Sequence, residues 1–215
     1  MKGSRGRRTE EADSGAEPGV SAADAGGARA AILQAAVQLL RERGLTATRT
    51  RDVTALAGVS TGLLNHYFTW NVLRATALAQ VLTEGLDALL PAAAVLDPDP
   101  RTILDGLVEA VFAEEADPLW RLWVEAVEAA PTDPAMADAL SRASAAYVDR
   151  IAACLERGVK LQLWRCPDPA ATAFRLSALH DGLVGMLLTG LPRLTRAGAI
   201  THMRTAFLLE CPGVG

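Results

Sequence analysis

The stretch TATRTRDVTALAGVSTGLLNHYFTWNVLR, residues 46–74, decides the fold of this chain, because it carries two short helical patterns separated by a turn. Val53, Leu56 and Ala57 recur at the three- and four-residue spacing of one buried helical face. Gly58 follows directly, at the position where helices most often end. These residues predict a helix that stops at Gly58 and a chain that turns there.

A second short helix is predicted immediately after this turn. Ser60 is a suitable N-cap, because its hydroxyl can accept a backbone N–H from the first turn of a helix over residues 61–68. Val59 would fill the space between the two helices. Two helices joined by three or four residues that include Gly form the helix-turn-helix pattern, whose second helix can lie in a DNA major groove.

The side chains of this second helix favour contact with DNA. An ordinary surface helix would carry Lys and Glu, whereas this one offers neutral hydrogen-bonding groups, which suit base edges and phosphate oxygens. A residue without a side chain, Gly62, would allow the helix to approach DNA closely. The set is Thr61, Gly62, Asn65, His66 and Tyr67, placed between the packing residues Leu63, Leu64 and Phe68.

The segments ILQAAVQLLRERG, TRDV and AGVSTGLLNHYF, between Arg29 and Leu73, resemble the N-terminal domain of the tetracycline-repressor (TetR) family. The resemblance implies a three-helix DNA-binding domain, a larger helical C-terminal domain, dimerisation, and release of DNA when a small molecule binds. Two positions depart from the family pattern. Asn71, beside an unusual Trp70, stands where members usually have a phosphate-contacting Lys, and Thr54 stands where they usually have the smaller Ala. The missing charge predicts a loss of about one phosphate contact.

We expect the contacts with DNA to come from the second helix and from the residues on either side of the motif. The Thr and Arg residues that cluster before the first helix of the motif are Thr46, Thr48, Arg49, Thr50 and Arg51. The free backbone N–H groups at the start of this helix favour an anion such as phosphate, and Thr50 is its expected N-cap. Base contacts are expected from Thr61, Gly62, Leu63, Asn65 and His66, and phosphate contacts from Arg49, Thr50, Tyr67 and Asn71.

The composition predicts an all-α protein. Half of the 215 residues are hydrophobic, Ala and Leu dominate, and few stretches are rich in β-branched residues. We assign residues 1–27 to a disordered tail, because they contain almost no large apolar side chains. Residues 28–74 form the predicted helix-turn-helix DNA-binding domain, and residues 75–215 the predicted helical ligand-binding and dimerisation domain.

Charge is distributed unevenly along the chain, whose net charge is −4. Residues 27–74 carry six Arg against two acidic residues, whereas residues 75–215 carry eleven Lys and Arg against eighteen Asp and Glu. A basic segment on an acidic chain is typical of a protein that meets DNA only through that segment. A solvated charged surface explains so small an asymmetry nearly as well.

Several classes of protein are disfavoured by what the sequence lacks. Cys154, Cys166 and Cys211 have no C-x-x-C spacing, which favours a reduced, cytoplasmic protein over a disulfide framework or a metal site. No uncharged apolar run is long enough to span a membrane. The three histidines have no catalytic spacing, and there is no Gly-rich phosphate loop. We therefore expect no enzyme activity, no metal and no cofactor.

Further helices are predicted on either side of the motif. The first runs over residues 28–43, with Ile32, Ala35, Ala36, Leu39 and Leu40 on its buried face. Breaks at Pro-containing loops separate the others, which we place at residues 71–90, 101–115, 118–130, 134–163, 169–190 and 194–210.

Most of the large aromatic residues lie in the C-terminal part of the chain, where two interpretations remain open for each of them. Core packing is one, and a ligand pocket with a few polar groups is the other. Trp120 and Trp123 lie on one helical face that Val124 and Val127 continue. The candidate pocket residues are Phe112, Trp120, Trp123, Tyr147, His180 and Asp181, with Glu109 and Glu125 as further polar candidates. Trp, Tyr and a carboxylate together can hold a cation.

The same part of the chain is more loosely similar to the betaine-pathway repressor branch of the TetR family. The segments that carry the similarity are W-x-x-W-V-E-A and the later H-D-G-L-x-x-x-L-L. The last two helices are apolar, with small residues at Ala178, Gly182, Gly185 and Gly190 and large ones at Ile200, Met203, Phe207 and Leu208. They predict a four-helix homodimer interface and hence a palindromic double-stranded DNA operator.

The interpretation that these features favour is a dimeric transcriptional repressor, released from its operator by a small-molecule effector. An interaction module that kept the fold but lost specific DNA binding is the alternative, and Thr54, Trp70 and Asn71 are the residues that support it. A helical enzyme has only one pair in its favour, His180 beside Asp181, and neighbours in a helix point in different directions.

Overall fold

The structure of the chain is a computed structural model that describes residues 22–91, 99–190 and 193–214. Within these ranges the chain is helical, with a single short 3₁₀ turn at Glu114–Ala116. The helices are α1 (Ala22–Ala47), α2 (Thr50–Ala57), α3 (Thr61–Tyr67), α4 (Trp70–Leu89), α5 (Pro100–Val111), α6 (Asp117–Ala129), α7 (Pro134–Lys160), α8 (Pro169–Leu188) and α9 (Arg196–Glu210).

Helix α1 begins earlier than predicted and is bent near its end. It starts at Ala22 rather than Ala28. Residues 22–27, which we assigned to the disordered tail, are therefore helical. The Ala residues of this segment, which have the highest helix propensity, outweigh the cost of the two glycines. Gly44 has φ +81° and interrupts the helix, at the position where we predicted its end. Residues 1–21 lie outside the described residues.

Local signals set the bounds of α2 and α3. Gly58 ends α2 with φ +67°, a conformation that glycine adopts without strain. The Ser60 hydroxyl accepts the backbone N–H of Leu63 at 3.1 Å, which confirms it as the N-cap of α3. The prediction for Thr50 is wrong, because Arg49 occupies the N-cap position without a side-chain cap and Thr50 is the first helical residue.

The buried face of α2 differs by one position from the predicted one. Val53 is fully buried, but Leu56 is exposed and Thr54 is buried in its place. The Thr54 hydroxyl donates a hydrogen bond to the carbonyl of Arg51 at 3.0 Å, so this polar group is satisfied inside the domain. Thr54 therefore fits into the packing of α2 without an unpaired hydroxyl.

Helix α4 connects the two parts of the molecule. It packs against α1 on one side and against α7 on the other. The buried cluster that begins at Ile32 in α1 continues along α4 to Leu82 and takes in Leu122 of α6 and Met136 of α7. The boundary predicted between residues 74 and 75 falls inside α4, and the N-terminal helices share a core with α6 and α7.

Three helices of the C-terminal part begin with the same pair of residues, Asp followed by Pro. Asp99, Asp133 and Asp168 are N-caps whose carboxylates accept backbone N–H groups from the first helical turn. The Pro that follows each of them has no N–H to leave unsatisfied and a φ angle already suited to a helix. The predicted breaks at these Pro-rich loops are therefore starts of helices.

The last two helices leave part of their apolar surface uncovered. Met203 is buried and Phe207 packs edge-on against Trp164, with ring centroids 5.2 Å apart, so these two residues face the chain's own core. In contrast, Phe174 of α8 is 66% exposed and Leu209 of α9 is 79% exposed. In the part of the chain that the structure describes, no helix combines the length and apolar character needed to cross a membrane.

Candidate nucleic-acid interface and ligand cavity

Helix α3 presents a polar surface that we call the reading face, formed by Thr61, Gly62, Asn65 and His66. All four residues are exposed, and their spacing places them on one side of a seven-residue helix. Leu64 is completely buried on the opposite side and anchors the helix to the core. The predicted division of α3 into packing and solvent-facing residues is therefore observed for these residues, but not for Tyr67, which is half-buried against the core.

The residues at the margin of the reading face are partly packed. Leu63 is half-buried, and Tyr67 is half-buried against the N-terminal core. The ring of His66 meets the ring of Tyr67 edge-on, with centroids 4.9 Å apart. Phe68, which is buried, carries the Arg29 guanidinium over its ring at 4.8 Å. The contact between His66 and Tyr67 and the contact between Arg29 and Phe68 thus fix the end of α3.

The polar cluster before α2 is only partly open to a ligand. The backbone N–H and the hydroxyl of Thr46 both donate to Oε2 of Glu125, at 2.8 and 3.2 Å. The Thr48 hydroxyl donates to the carbonyl of Gly44 at 2.7 Å. We predicted that Thr46 and Thr48 are open to phosphate, but both are bonded within the chain. Of the residues predicted to contact phosphate, Arg49 is the exposed one at this end of α2.

The start of α4 lies directly after α3. Thr69 is the N-cap, and its hydroxyl accepts the backbone N–H of Val72 at 3.4 Å. Trp70 is half-buried against the N-terminal core, whereas Asn71 is exposed in the first turn. Asn71 can therefore offer its amide N–H groups to a phosphate, without the charge of a Lys.

A cavity of about 190 Å³ lies between α4, α6, α7 and α8, and we call it the aromatic cavity. Five of the six predicted pocket residues line it, although they are spread over three helices: Trp120, Trp123, Tyr147, His180 and Asp181. The sixth, Phe112, is buried beside the ring of His180 at a centroid distance of 5.6 Å. The residues that we selected for chemistry rather than for packing thus come together.

His180 is the unusual polar group of this cavity. Its side chain is 1% exposed, and three aromatic rings, those of Phe112, Trp120 and Tyr147, surround it. Nδ1 lies 3.3 Å from Oδ1 of Asp181, but neither ring nitrogen has a hydrogen-bond partner in the described part of the chain. Buried polar atoms are normally bonded, so these two nitrogens are exceptions among the described residues.

The charge of Asp181 acts on the aromatic cavity. The side chain is about half exposed, on the wall that α8 contributes. Burial, and then the negative charge of Asp181, raise the pKa of the Tyr147 hydroxyl, so this group stays protonated at neutral pH. A single carboxylate among Trp and Tyr rings provides charge and ring faces for a cation.

Two further candidates for this pocket lie elsewhere. Glu109 is exposed and accepts a hydrogen bond from Arg204 at 2.8 Å. Glu125 faces the N-terminal domain, where it bonds to Thr46. Val124 and Val127 are exposed and do not continue the face of Trp120 and Trp123 as predicted, because α6 packs between α1, α4 and α7 through its other sides.

Sequence reasoning missed part of the cavity wall. Leu82, Leu86 and Leu89 of α4 line it, as does Phe174 of α8. Phe174, Ala178 and Asp181 stand at the i, i+4, i+7 spacing of one helical face, which is the signal that could have revealed the α8 wall. The α4 leucines have the same spacing, but a face of Leu residues alone is that of any core helix, whereas the α8 face includes a carboxylate.

Two family profiles match the chain. The profile of the "BetI-type transcriptional repressor, C-terminal" matches residues 100–210, and that of the "Bacterial regulatory proteins, tetR family" matches residues 32–69. A search of curated protein sequences gave no match.

Solved structures show the same fold over most of the chain. A protein of Saccharomonospora viridis described as a transcriptional regulator, in complex with choline, is 25% identical, with a TM-score of 0.70, and the alignment covers 86% of this chain and 98% of that one. A TetR-family regulator from Rhodococcus sp. is 26% identical, with a TM-score of 0.68 and the same coverage. A TetR regulator from Haloarcula marismortui is 21% identical, with a TM-score of 0.67 over 84% of this chain and 95% of that one.

Proposed function

Because the chain belongs to the TetR family, with a BetI-type C-terminal domain, it is a DNA-binding transcriptional regulator with a ligand-binding C-terminal domain, and we propose that it is a dimeric repressor released from a palindromic operator by a small cation. Members of this family are regulators and not enzymes. The observation that carries the proposal is the pairing of an exposed neutral polar reading face with an aromatic cavity that contains a carboxylate.

The reading face supports sequence-specific binding. We place four residues against base edges, because their side chains are small or carry both donors and acceptors: Thr61, Gly62, Asn65 and His66. Leu63 lies beside them. A second set holds the phosphates on either side of α3 and so fixes its orientation in the groove. This set comprises Arg49, Thr50, Tyr67 and Asn71.

The uncovered apolar surface of α8 and α9 supports dimerisation. Phe174 and Leu209 project into solvent, and a Cβ added at Gly182 or Gly185 would meet no atom of this chain, which leaves room for close approach by a partner helix. Two such helices from each protomer form a four-helix interface. A two-fold axis through this interface places two copies of α3 about one DNA turn apart, on a palindrome.

The aromatic cavity supports a cationic effector. The faces of Trp120, Trp123 and Tyr147 attract a positive charge, and Asp181 neutralises it. The regulator of Saccharomonospora viridis that shares this fold was solved with choline, a quaternary ammonium. We therefore propose choline, or a quaternary ammonium of similar size, as the effector class.

Helix α4 provides the route from effector to DNA. Its C-terminal half lines the aromatic cavity through Leu82, Leu86 and Leu89, and its N-terminal turn follows α3 directly. A ligand that separates α4 from α7 would shift the two reading faces to a spacing that no longer matches successive major grooves. The ligand acts by binding this second conformation more tightly than the first.

Selection from a random duplex DNA pool tests the proposal. The purified full chain at near-physiological salt is expected to retain a palindrome, and choline is expected to release it. Trp123→Ala, which removes one cavity ring, should keep operator binding and lose release by choline. Folded dimeric protein that enriches no sequence would contradict the proposal and favour the interaction module.

A further inference from the structure

Two of the three cysteines share a sequence context that the third lacks. Cys166 and Cys211 are each followed by Pro, which disfavours a helical conformation in the residue before it. Both lie outside the helices: Cys166 is in the segment between α7 and α8, and Cys211 follows the last residue of α9 with φ −128°. Cys154, in contrast, lies within α7.

The two segments that contain these cysteines run antiparallel to each other. An antiparallel bridge pairs Trp164 with Gly213. Two residues along each segment in the same register, Cys166 stands opposite Cys211. Side chains two residues apart in an extended segment lie on the same side, so Cys166 faces the core as the buried Trp164 does.

The backbone spacing at this position suits a disulfide. Between the two pairs, the N–H of Arg165 donates to the carbonyl of Pro212 at 2.9 Å. Hydrogen-bonded and non-hydrogen-bonded pairs alternate in an antiparallel ladder, so Cys166 and Cys211 form a non-hydrogen-bonded pair. Opposite Cα atoms in such a pair are about 4.5 Å apart. A disulfide requires about 4.4–6.8 Å.

The two thiols are in contact and differ in reactivity. Both cysteines are free, and their side chains are hydrogen-bonded to each other. Burial, and then this hydrogen bond, raise the pKa of the Cys211 thiol to about 12, so it is protonated at neutral pH. Cys211 is 1% exposed and Cys166 is 5% exposed. A small oxidant therefore meets Cys166 first.

Other side chains already hold the end of α9 against the start of α8. Nε of Arg175 donates to Oε1 of Glu210 at 2.6 Å, and the Thr172 hydroxyl donates to Oε2 of Glu210 at 3.2 Å. Glu210 directly precedes Cys211. The thiols are thus brought together by contacts that do not depend on a bond between them, and a disulfide requires little movement of the two helices.

We propose that Cys166 and Cys211 form an oxidation site, at which a peroxide converts the two thiols to a disulfide that ties the start of α8 to the end of α9. The sulfur of Cys166 attacks one oxygen of hydrogen peroxide, the O–O bond breaks, and the hydroxide that leaves takes up the thiol proton as water. The sulfur of Cys211 then attacks the sulfenic sulfur, the S–O bond breaks, and a second water carries away the Cys211 proton. The two thiols lose two electrons, and the peroxide gains them. The proposal depends neither on the cation site nor on the dimer.

Mass spectrometry of the unchanged full chain after treatment with hydrogen peroxide tests the site. The expected product has a mass lower by two hydrogen atoms, a cross-link between the peptides of Cys166 and Cys211, and a free thiol at Cys154. Dithiothreitol should reverse the change. The oxidised protein should have a Tm higher by about 5 °C or more, because the link closes a long loop in the unfolded chain.

Three variants separate the roles of the thiols. Cys211→Ala should accumulate a sulfenic acid at Cys166, which dimedone traps. Cys166→Ala should give at least about tenfold less dimedone adduct at Cys211, because that thiol is more buried and stays protonated. Cys154→Ala removes the remaining buried thiol and is the matched control, which should still form the cross-link.

Four results would overturn this proposal, and all of them come from the unchanged protein, so they hold whether or not a variant folds. They are three thiols that stay free under a peroxide treatment that oxidises free cysteine, a cross-link that includes Cys154, oxidation of Cys166 to a sulfinic acid without a cross-link, and a Tm that falls on disulfide formation.

Discussion

Asn71 is the residue that we propose contacts phosphate at the start of α4. Its side chain is exposed in the first turn, next to the proposed reading face, but it carries no charge. An amide can donate a hydrogen bond to a phosphate oxygen, whereas an ammonium also displaces a condensed counterion from DNA. The identity of this one residue therefore affects affinity for every DNA sequence alike.

Asn71→Lys should raise operator affinity several-fold and steepen the dependence of log K on log salt by about 0.9, the value of one phosphate contact. Fluorescence anisotropy over a series of salt concentrations measures both quantities. Glu156→Gln changes the net charge by the same amount at an exposed position of α7 and is the control. An equal effect in both variants would show that overall charge, and not a local contact, is responsible.

Among the described glycines, Gly158 has the least room for a side chain. A Cβ at this position would lie 1.8 Å from Cζ2 of Trp164, which is 2% exposed and donates its indole N–H to the carbonyl of Leu155 at 3.0 Å. Trp164 therefore packs directly on the backbone of α7. Any side chain at Gly158 must displace it.

Gly158→Ala is expected to destabilise the protein by about 1–3 kcal/mol, the usual cost of overpacking a core, as measured by urea unfolding. Gly106→Ala is the matched control, because a Cβ there meets no atom within 4 Å and the residue is exposed within α5. The control should be stabilising by about 0.5–1 kcal/mol. Equal effects in the two variants would mean that Trp164 relaxes freely.

At the scale of elements, α6 is in contact with both functional regions. Trp120 and Trp123 line the aromatic cavity. Glu125, two residues after Trp123, accepts two hydrogen bonds from Thr46. The same carboxylate occupies the bend of α1, since Oε1 lies 2.7 Å from where a Cβ of Gly44 would be. If a bound ligand moves α6, the segment that precedes α2 should therefore move with it.

Glu125→Ala should reduce the effect of choline on operator affinity at least about fivefold, while choline still binds the free protein. The reason is that the charge-assisted hydrogen bonds to Thr46, which connect α6 to the N-terminal domain, are lost. The measurement is operator affinity with and without saturating choline. Glu128→Ala removes an exposed carboxylate from the same helix and should leave the coupling intact. If choline changed operator affinity equally in Glu125→Ala and in the unchanged protein, the effect would pass through α4 and not through α6.

At the scale of the whole molecule, α8 and α9 carry exposed apolar surface and also contribute residues to cavity walls. α8 contributes Phe174 and Asp181 to the aromatic cavity and also carries exposed apolar surface. α9 contributes Met203 to a cavity of about 270 Å³ between α5, α7, α8 and α9, and carries Leu209, the most exposed large apolar side chain described. Ligand binding and dimerisation are thus proposed for adjacent faces of one pair of helices.

Leu209→Glu should convert the dimer to a monomer and weaken operator binding at least about 100-fold. A monomer contacts one half-site only, and so loses the affinity that two linked DNA-binding domains gain by binding together. Analytical ultracentrifugation gives the oligomeric state, and anisotropy gives the affinity. Val127→Glu, at an exposed apolar position on α6, is the control and should remain dimeric. A monomeric wild-type protein would contradict the proposed interface outright.

The sequence by itself determined the helical class, the turn at Gly58, the cap at Ser60 and the breaks before the Asp-Pro pairs. These features depend on residues within one turn of each other, so their signals are local. It also singled out five residues of the aromatic cavity, since Trp, Tyr and His are rare in this chain and Asp181 lies within an otherwise apolar helix. Only the tertiary structure decided the rest. Leu56, Val124 and Glu125 look like members of one helical face or pocket, but their burial and partners are set by helices distant in sequence, which local spacing does not encode.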